Sequence, residues 1–301
     1  MLHNVSDLDL RLLRLFATVV RCGGFSAAQG ELGMGQSTIS THIASLETRL
    51  GYRLCERGKS GFRLTDKGAL VLQHAQALFA ALGDFRDQVQ SLAGRLVGEL
   101  RLGLADNIAT LPEARVHEAL ARFGRRDQEV RLQLSIGSSG ELERQVLGGE
   151  LHLAIACFGR QLPNLRYRPL YSERVAVFCG RGHPLFEHEA PGQAELEACA
   201  WVQYGYAQAD VQLPADPRRS TALASNMEAV VHALRAGTHL GYLPTHYAQR
   251  WVDLGEMRPL LAERLGYGIG HSLLLRDDAG HNQALQALAE DLCAVHGVSL
   301  P

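Results

Sequence analysis

Several stretches of this 301-residue chain carry residue types that could make or break bonds. Gly137-Ser138-Ser139-Gly140-Glu141 has the look of a nucleophile turn, but it lacks the Gly-x-Ser-x-Gly spacing and a base partner. His183 and His188 stand five apart in a proline-containing loop, with too few companion ligands for a metal site. "LGMGQS" and "GYGIG" are glycine-rich, yet no strand leads into a phosphate-binding helix. The six cysteines, at 22, 55, 157, 179, 199 and 293, form no CxxC pair. That scatter argues against a zinc ribbon or disulfide scaffold and suits a reducing compartment. A different chemistry is offered by Gln36, Ser37, Ser40 and Thr41, with His42 at their flank. A solvated helix face usually prefers Lys and Glu, whereas this one is nearly uncharged. An amide can make two hydrogen bonds to adenine, hydroxyls serve several base edges, and a threonine methyl can meet that of thymine.

The elements that must hold this face follow from periodicity. Leu8, Leu12, Leu15, Phe16 and Val19 make one buried stripe on a helix capped by Asp7 and running to about Arg21. "CGG" breaks it. Ser26 and Gln29 have the spacing of a capping box for a second, short helix, which Gly33 ends in a left-handed conformation. A third helix runs from about Gln36 to Leu50, with Ile39, Ile43, Leu46 and Leu50 inward, and Gly51 stops it. "YRLCERGKSGFRLT" then reads as two short strands around a basic tip. Three helices and a basic hairpin make a winged helix-turn-helix. In such a module the last helix enters the major groove while cations on the wing hold phosphates.

"LRLFATVVRCGGFSAAQGELGMGQSTISTHIASLETRLGYRLCERG" followed by "FRLTDKG" resembles the LysR-type transcriptional regulators, most specifically in Gln-Ser-x-Ile-Ser, Leu-Glu-x-x-Leu-Gly and Leu-Thr-x-x-Gly. The resemblance is close over residues 8–68 and weaker beyond. It implies that Gln36, Ser37, Thr38, Ser40, Thr41 and His42 read DNA, that Arg57 sits on the wing with Arg63 nearby, and that Ser26 contacts the DNA backbone. Many members carry Ser followed by Gln-Pro where this chain has Gly35, Gln36 and Ser37, and Arg where it has Thr41.

Thr65 is placed to cap a long helix to about Ala93. Along it Val71, Ala75, Leu78, Leu82, Phe85, Val89 and Leu92 alternate spacings of four and three, a heptad seam for pairing two chains. "AGRLVG" reads as a flexible joint. From Glu99 strands alternate with helices, which implies a parallel sheet with crossovers. The resemblance makes this region a two-lobed α/β effector domain like the periplasmic binding proteins, and the assembly a homotetramer of such dimers. The expected domains are 1–65, 66–93 and 94–301, with lobe 1 at about 98–166 and 268–301 and lobe 2 at about 167–267. Ligands of open parallel sheets bind at strand carboxyl ends, near helix N-termini. That selects Asp106, Asn107, Ser138, Ser139, Tyr204, Tyr206 and Asn226, where free backbone N–H groups favour a carboxylate or phosphate effector. Asp106 runs against a strongly anionic ligand and suits an amine or the cap of its own helix instead.

With 46% hydrophobic residues and a net charge of −2, composition alone does not point to nucleic acid. Position does: residues 1–66 hold eight Lys and Arg against six acids, a net of +2, and four of those cations fall between Arg53 and Arg63. No apolar run approaches the roughly 18 residues of a membrane helix, and the start lacks a secretion-signal layout. The expectation is a cytoplasmic, ligand-responsive regulator without a cofactor. Its partners would be a double-stranded operator, a small molecule, a second copy of itself and RNA polymerase. A small-molecule enzyme and a nucleoid-type DNA-binding protein are the competing classes.

Overall fold

The computed structural model describes residues 4–58, 61–91, 96–188, 190–204, 220–277 and 282–300. They form two compact units, Met1–Arg86 with Gly148–Glu150, and Asp87–Leu147 with Leu151–Pro301.

In the first unit α1 spans Asp7–Arg21 and buries Leu12, Leu15, Phe16 and Val19. Its cap is Ser6 rather than Asp7, closing a capping box with Asp9. Leu8 is exposed, against the periodicity, and Asp9 is fully buried in its stead. The cause lies forty residues away. Arg49 donates to both oxygens of Asp9, and the Ser6 hydroxyl adds a bond of 2.6 Å. Those bonds, with Arg49 first, hold the Asp9 carboxyl far below the ordinary carboxylate range.

The short helix α2 covers only Gln29–Leu32, with Ala28 at its cap position. The expected Ser26–Gln29 capping box is not formed. The turn has already begun one step earlier, where Ala28 N–H bonds the Gly24 carbonyl, so Ser26 lies inside the turn rather than before it. Gly33 ends α2 at φ +61°, as anticipated. Helix α3, Gln36–Leu50, buries Ile39, Ile43 and Leu46 completely and ends at left-handed Gly51. Glu47 reaches from α3 to the backbone N–H groups of Leu54 and Cys55 at 2.8 and 3.3 Å, which places the wing. The wing is β1, Cys55–Gly58, antiparallel to β2, Gly61–Leu64. Its expected basic tip at Lys59 and Ser60 lies outside the described residues.

Thr65 caps α4, Asp66–Ser91, by accepting from Gly68 N–H at 2.9 Å. A side chain at Gly68 is impossible in this geometry, because its Cβ would stand 1.9 Å from the Leu54 carbonyl oxygen. Along α4, Ala75 is buried, whereas Leu78, Leu82, Phe85 and Val89 are exposed at 36, 40, 66 and 51%. Leu92 and the first part of the expected joint lie outside the described residues.

Among the described residues, the second unit is built on one sheet of nine strands. Its first half contains β3 (Leu96–Leu104), parallel to β4 (Gln128–Ile136) and β5 (Leu153–Ala156), with α5 (Val116–Gly124) and α6 (Ser139–Leu147) as connections. Two long strands, β6 (Leu165–Gly180) and β11 (Tyr267–Arg276), then run antiparallel to each other. The second half contains α7 (Gln193–Ala198), β7 (Trp201–Tyr204) parallel to β8 (Ser220–Ala224), and α8 (Met227–Arg235). It continues through β9 (Leu240–Pro244), α9 (Thr245–Asp253), β10 (Met257–Leu260) and α10 (Ala262–Leu265). Helix α11, Gln283–Val295, capped by Asn282, returns to pack beside α5 and β3 in the first half. The expected parallel strand-helix-strand arrangement holds for β3, β4 and β5, and again for β7 and β8, while the sheet as a whole is mixed. The chain crosses between halves as extended strand, and β6 pairs antiparallel with β9, β10 and β11. Each half has its own apolar core, around Phe123, Leu153 and Leu288 in one and Val202, Val231 and Leu243 in the other.

Candidate DNA-reading surface and effector cleft

Because Ile39, Ile43 and Leu46 anchor α3, the opposite residues must face out. Gln36, Ser37, Thr38 and Thr41 are exposed, while Ser40 and His42 are half-buried. The Thr41 hydroxyl donates to the Ser37 carbonyl at 3.0 Å, which uses its proton within the helix. Thr41 can therefore offer a lone pair and a methyl group, but no free donor. Gly35, in extended backbone, provides no side-chain cap. The Gln29 carboxamide stands in for one: its Oε1 accepts from Gln36 N–H at 3.2 Å, and its Nε2 donates to the Ser26 carbonyl at 3.2 Å. Ser26 is exposed on the preceding turn. On the wing, Arg63 is 80% exposed and pairs across the strands with Glu56 at 3.0 Å. The Arg57 backbone sits opposite Phe62; its side chain lies outside the described residues.

In the second unit, β3 and β4 end side by side, since Gly137 N–H bonds the Leu104 carbonyl at 3.1 Å. Two residues beyond β3, Asp106 accepts from Met227 N–H at 2.7 Å, at the first turn of α8. Asn226 caps the same helix through Ala229 N–H at 2.8 Å. Tyr204 pairs with Ala224 at the ends of β7 and β8, two residues before Asn226. The carboxyl ends of both parallel strand sets thus converge, and Asp106 ties one to the other. Burial pushes the Asp106 carboxyl above its usual range, with hydrogen bonds from Met227 and its own backbone opposing. Its carboxylate already occupies the positive end of α8, the position an anionic ligand would otherwise seek.

The other selected residues play more local parts. Asn107 is left-handed at φ +59° and leads into a single 3-10 turn, Ile108–Thr110. Buried Ser138 forms a capping box with Glu141, donating to Oε2 at 2.7 Å and accepting from Glu141 N–H at 3.4 Å. Ser139 opens α6. Tyr206 lies outside the described residues. His183 and His188 are not neighbours in any site: His183 accepts from Leu185 N–H at 3.1 Å, and His188 meets Glu195 at 3.3 Å. Among the described residues no group of three or more His, Cys, Asp and Glu is arranged for a metal ion.

Sequence reasoning missed a buried polar cluster where the two halves meet. Glu173 on β6 lies 2.7 Å from His246 Nε2 on α9 and 3.2 Å from His271 Nε2 on β11. The other nitrogen of His246 is 2.8 Å from the Thr110 hydroxyl, and Tyr171 stacks on His271 at 4.9 Å. Burial alone would raise the Glu173 carboxyl, but the two imidazole hydrogen bonds and charges outweigh it and hold the group below its usual range. An open groove of about 500 Å³ beside it is lined by Thr110, Glu113, Arg174, Thr245, His246 and Gln249, among others. The separations of 73 and 98 residues hide the cluster from any local pattern. The one legible hint was a histidine within the apolar strand "HSLLLR".

Comparison with known proteins agrees with this geometry. Residues 10–69 match the bacterial regulatory helix-turn-helix family of lysR type, and residues 93–295 match the LysR substrate binding domain. The chain is 41% identical over 292 residues to the HTH-type transcriptional activator BauR of Pseudomonas aeruginosa, covering 96% of each protein. It is 36% identical over 276 residues to the SDS degradation transcriptional activation protein of a Pseudomonas species, covering 87% of this chain and 89% of that one. Among solved structures, the LysR family regulator CbnR superposes with a TM-score of 0.68 at 18% identity, over 95% of this chain and 99% of that one. CbnR complexed with its target DNA gives 0.63 at 18% identity, over 94% and 98%. The likeness to CbnR concerns the fold alone, whereas the two matched domains and the sequence relatives concern descent and function. A winged helix-turn-helix, a long linker helix and a two-lobed α/β effector domain follow one another here, and the chain belongs to the LysR family of transcriptional regulators, DNA-binding proteins with a C-terminal effector-binding domain and not enzymes.

Proposed function

We propose that this regulator reads its operator with Gln36, Ser37, Thr38, Ser40, Thr41 and His42, while Ser26, Arg57 and Arg63 hold phosphates. The observation that carries this reading is the exposed, uncharged outer face of α3, opposite a fully buried apolar one. Side chains of that kind gain little from water that Lys or Glu would not gain better, yet they match base edges. Residues 1–65 form the DNA-binding domain, 66–93 the pairing helix and 94–301 the effector domain, with lobes divided at about residues 167 and 268. The α4 seam supplies a homodimer, and dimers assemble into a homotetramer in the cytoplasm. The effector is a small molecule held among Asp106, Asn107, Ser138, Ser139, Tyr204, Tyr206 and Asn226; a carboxylate would be met at the start of α6, since Asp106 already fills that of α8. It acts only through different affinities for two arrangements of the lobes. Both curated relatives carry activation in their names, which favours activation here and with it contact to RNA polymerase.

The test is salt dependence of binding to an operator duplex. A dimer making about six phosphate contacts loses roughly 10³-fold in affinity between 50 and 200 mM salt. Unchanged affinity across that range overturns the reading.

A further inference from the structure

Helix α3 starts with a gap in its hydrogen bonding. The first N–H groups of a helix have no partner within it, and an N-cap side chain normally serves one of them. Gly35 has none to offer. The structure supplies the acceptor from seven residues upstream, where Gln29 Oε1 takes the Gln36 N–H at 3.2 Å. The same carboxamide donates to the Ser26 carbonyl at 3.2 Å and lies 3.4 Å from the Ser26 hydroxyl. One side chain therefore joins the exposed turn at Ser26 to the exposed residue that opens α3.

We propose that Gln29 is a positioning residue for DNA recognition: its carboxamide fixes the first turn of α3, and so the Gln36 side chain, relative to the Ser26 turn. The proposal rests on Gln36 being a base reader. Its physical logic is that a bidentate amide contact demands a fixed origin for the side chain. A frayed first turn spreads that origin over several positions and blurs the distinction between bases. Gly35 shows how the same order could be restored from another direction. Its backbone, φ −68° and ψ 151°, is that of a capping serine, and a Cβ there would meet nothing within 4 Å.

The experiment uses the full chain and a duplex selected by the wild-type protein, with single-base variants at each position. Gln29→Ala is expected to weaken binding by about three- to thirty-fold, the range for loss of one cap. The loss falls on discrimination at the base read by Gln36, while the far-ultraviolet spectrum stays close to wild type and the thermal midpoint falls by only a few degrees. Gln29→Ala/Gly35→Ser is expected to recover both affinity and discrimination. The idea is overturned if Gln29→Ala keeps wild-type discrimination, if it weakens every duplex equally, or if Gly35→Ser restores nothing. A parallel Gln36→Ala arm separates the two layers. Wild-type preference in that variant removes the base-reading role and Gln29's with it. Altered preference in Gln36→Ala but not in Gln29→Ala removes the positioning role alone.

Discussion

Replacing Phe85 with Glu on α4 tests whether that helix pairs two chains. The side chains of Leu78, Leu82, Phe85 and Val89 are exposed at 36, 40, 66 and 51%. Together that is about two whole apolar side chains per protomer, or about four per pair. At about 1.5–3 kcal/mol for each fully buried side chain, the seam contributes about 6–12 kcal/mol. Association costs about 4–15 kcal/mol in lost freedom and ordering, so the seam is closely balanced and single positions matter. Phe85 supplies a third of the exposed surface. Its loss from both chains removes about 2–4 kcal/mol, and two carboxylates placed in the seam repel one another. The dimer dissociation constant should rise between about 30-fold and several hundred-fold. Glu is a good helix former, so α4 itself should persist. Sedimentation over a range of concentrations reads the constant, with Phe85→Leu as the control that keeps the seam apolar. If Phe85→Glu stays dimeric at wild-type concentrations with its helix content intact, the pairing account of α4 is wrong.

Two further expectations concern the scaffold. Gly68→Ala forces a Cβ to within 1.9 Å of the Leu54 carbonyl oxygen unless α4 moves, so it should cost roughly 1–3 kcal/mol, seen as a lowered thermal midpoint. Acid should destabilise the protein through Asp9 and Glu173, whose folded-state values both lie below the ordinary carboxylate range. The stability they contribute is complete above about pH 4.5 and is lost as pH falls through their folded values. Asp106, raised by burial, acts in the opposite direction. Asp9→Asn and Glu173→Gln should therefore lower the midpoint at pH 7 and flatten its fall below about pH 4.5; unchanged slopes in both variants would contradict the assignment.

The DNA-binding unit was legible because its determinants are local. Ile39, Ile43 and Leu46 mark one helix face, Gly33 and Gly51 end helices where they were expected to, and Thr65 caps α4. The misreadings have a common physical cause. Leu8 fits the apolar period of α1, but its end of the stripe is decided by Arg49 on another helix, which draws Asp9 inward. Ser26 and Gln29 have capping-box spacing, but the turn starts at Gly24, and Gln29 serves α3 instead. In the second unit the parallel course of β3, β4 and β5 was readable from the helices between them, whereas the antiparallel pairing of β6 and β11 was not, because those strands cross both halves. Asp106 and Asn226 were found as strand-end residues, and their meeting at α8 required the fold. The Glu173 cluster joins residues from four elements, and no sequence period relates them.

The central claim is that the uncharged face of α3 reads base pairs and is delivered in twos. Selection of bound duplexes from a random pool, by the wild-type protein and by Gln36→Ala, addresses it in one measurement. The account predicts a two-fold symmetric motif with half-sites one or more helical turns apart, and loss of preference at a single position per half-site in the variant, worth about 1–3 kcal/mol. Recovery of duplexes without any shared motif, or identical motifs from both proteins, would contradict it.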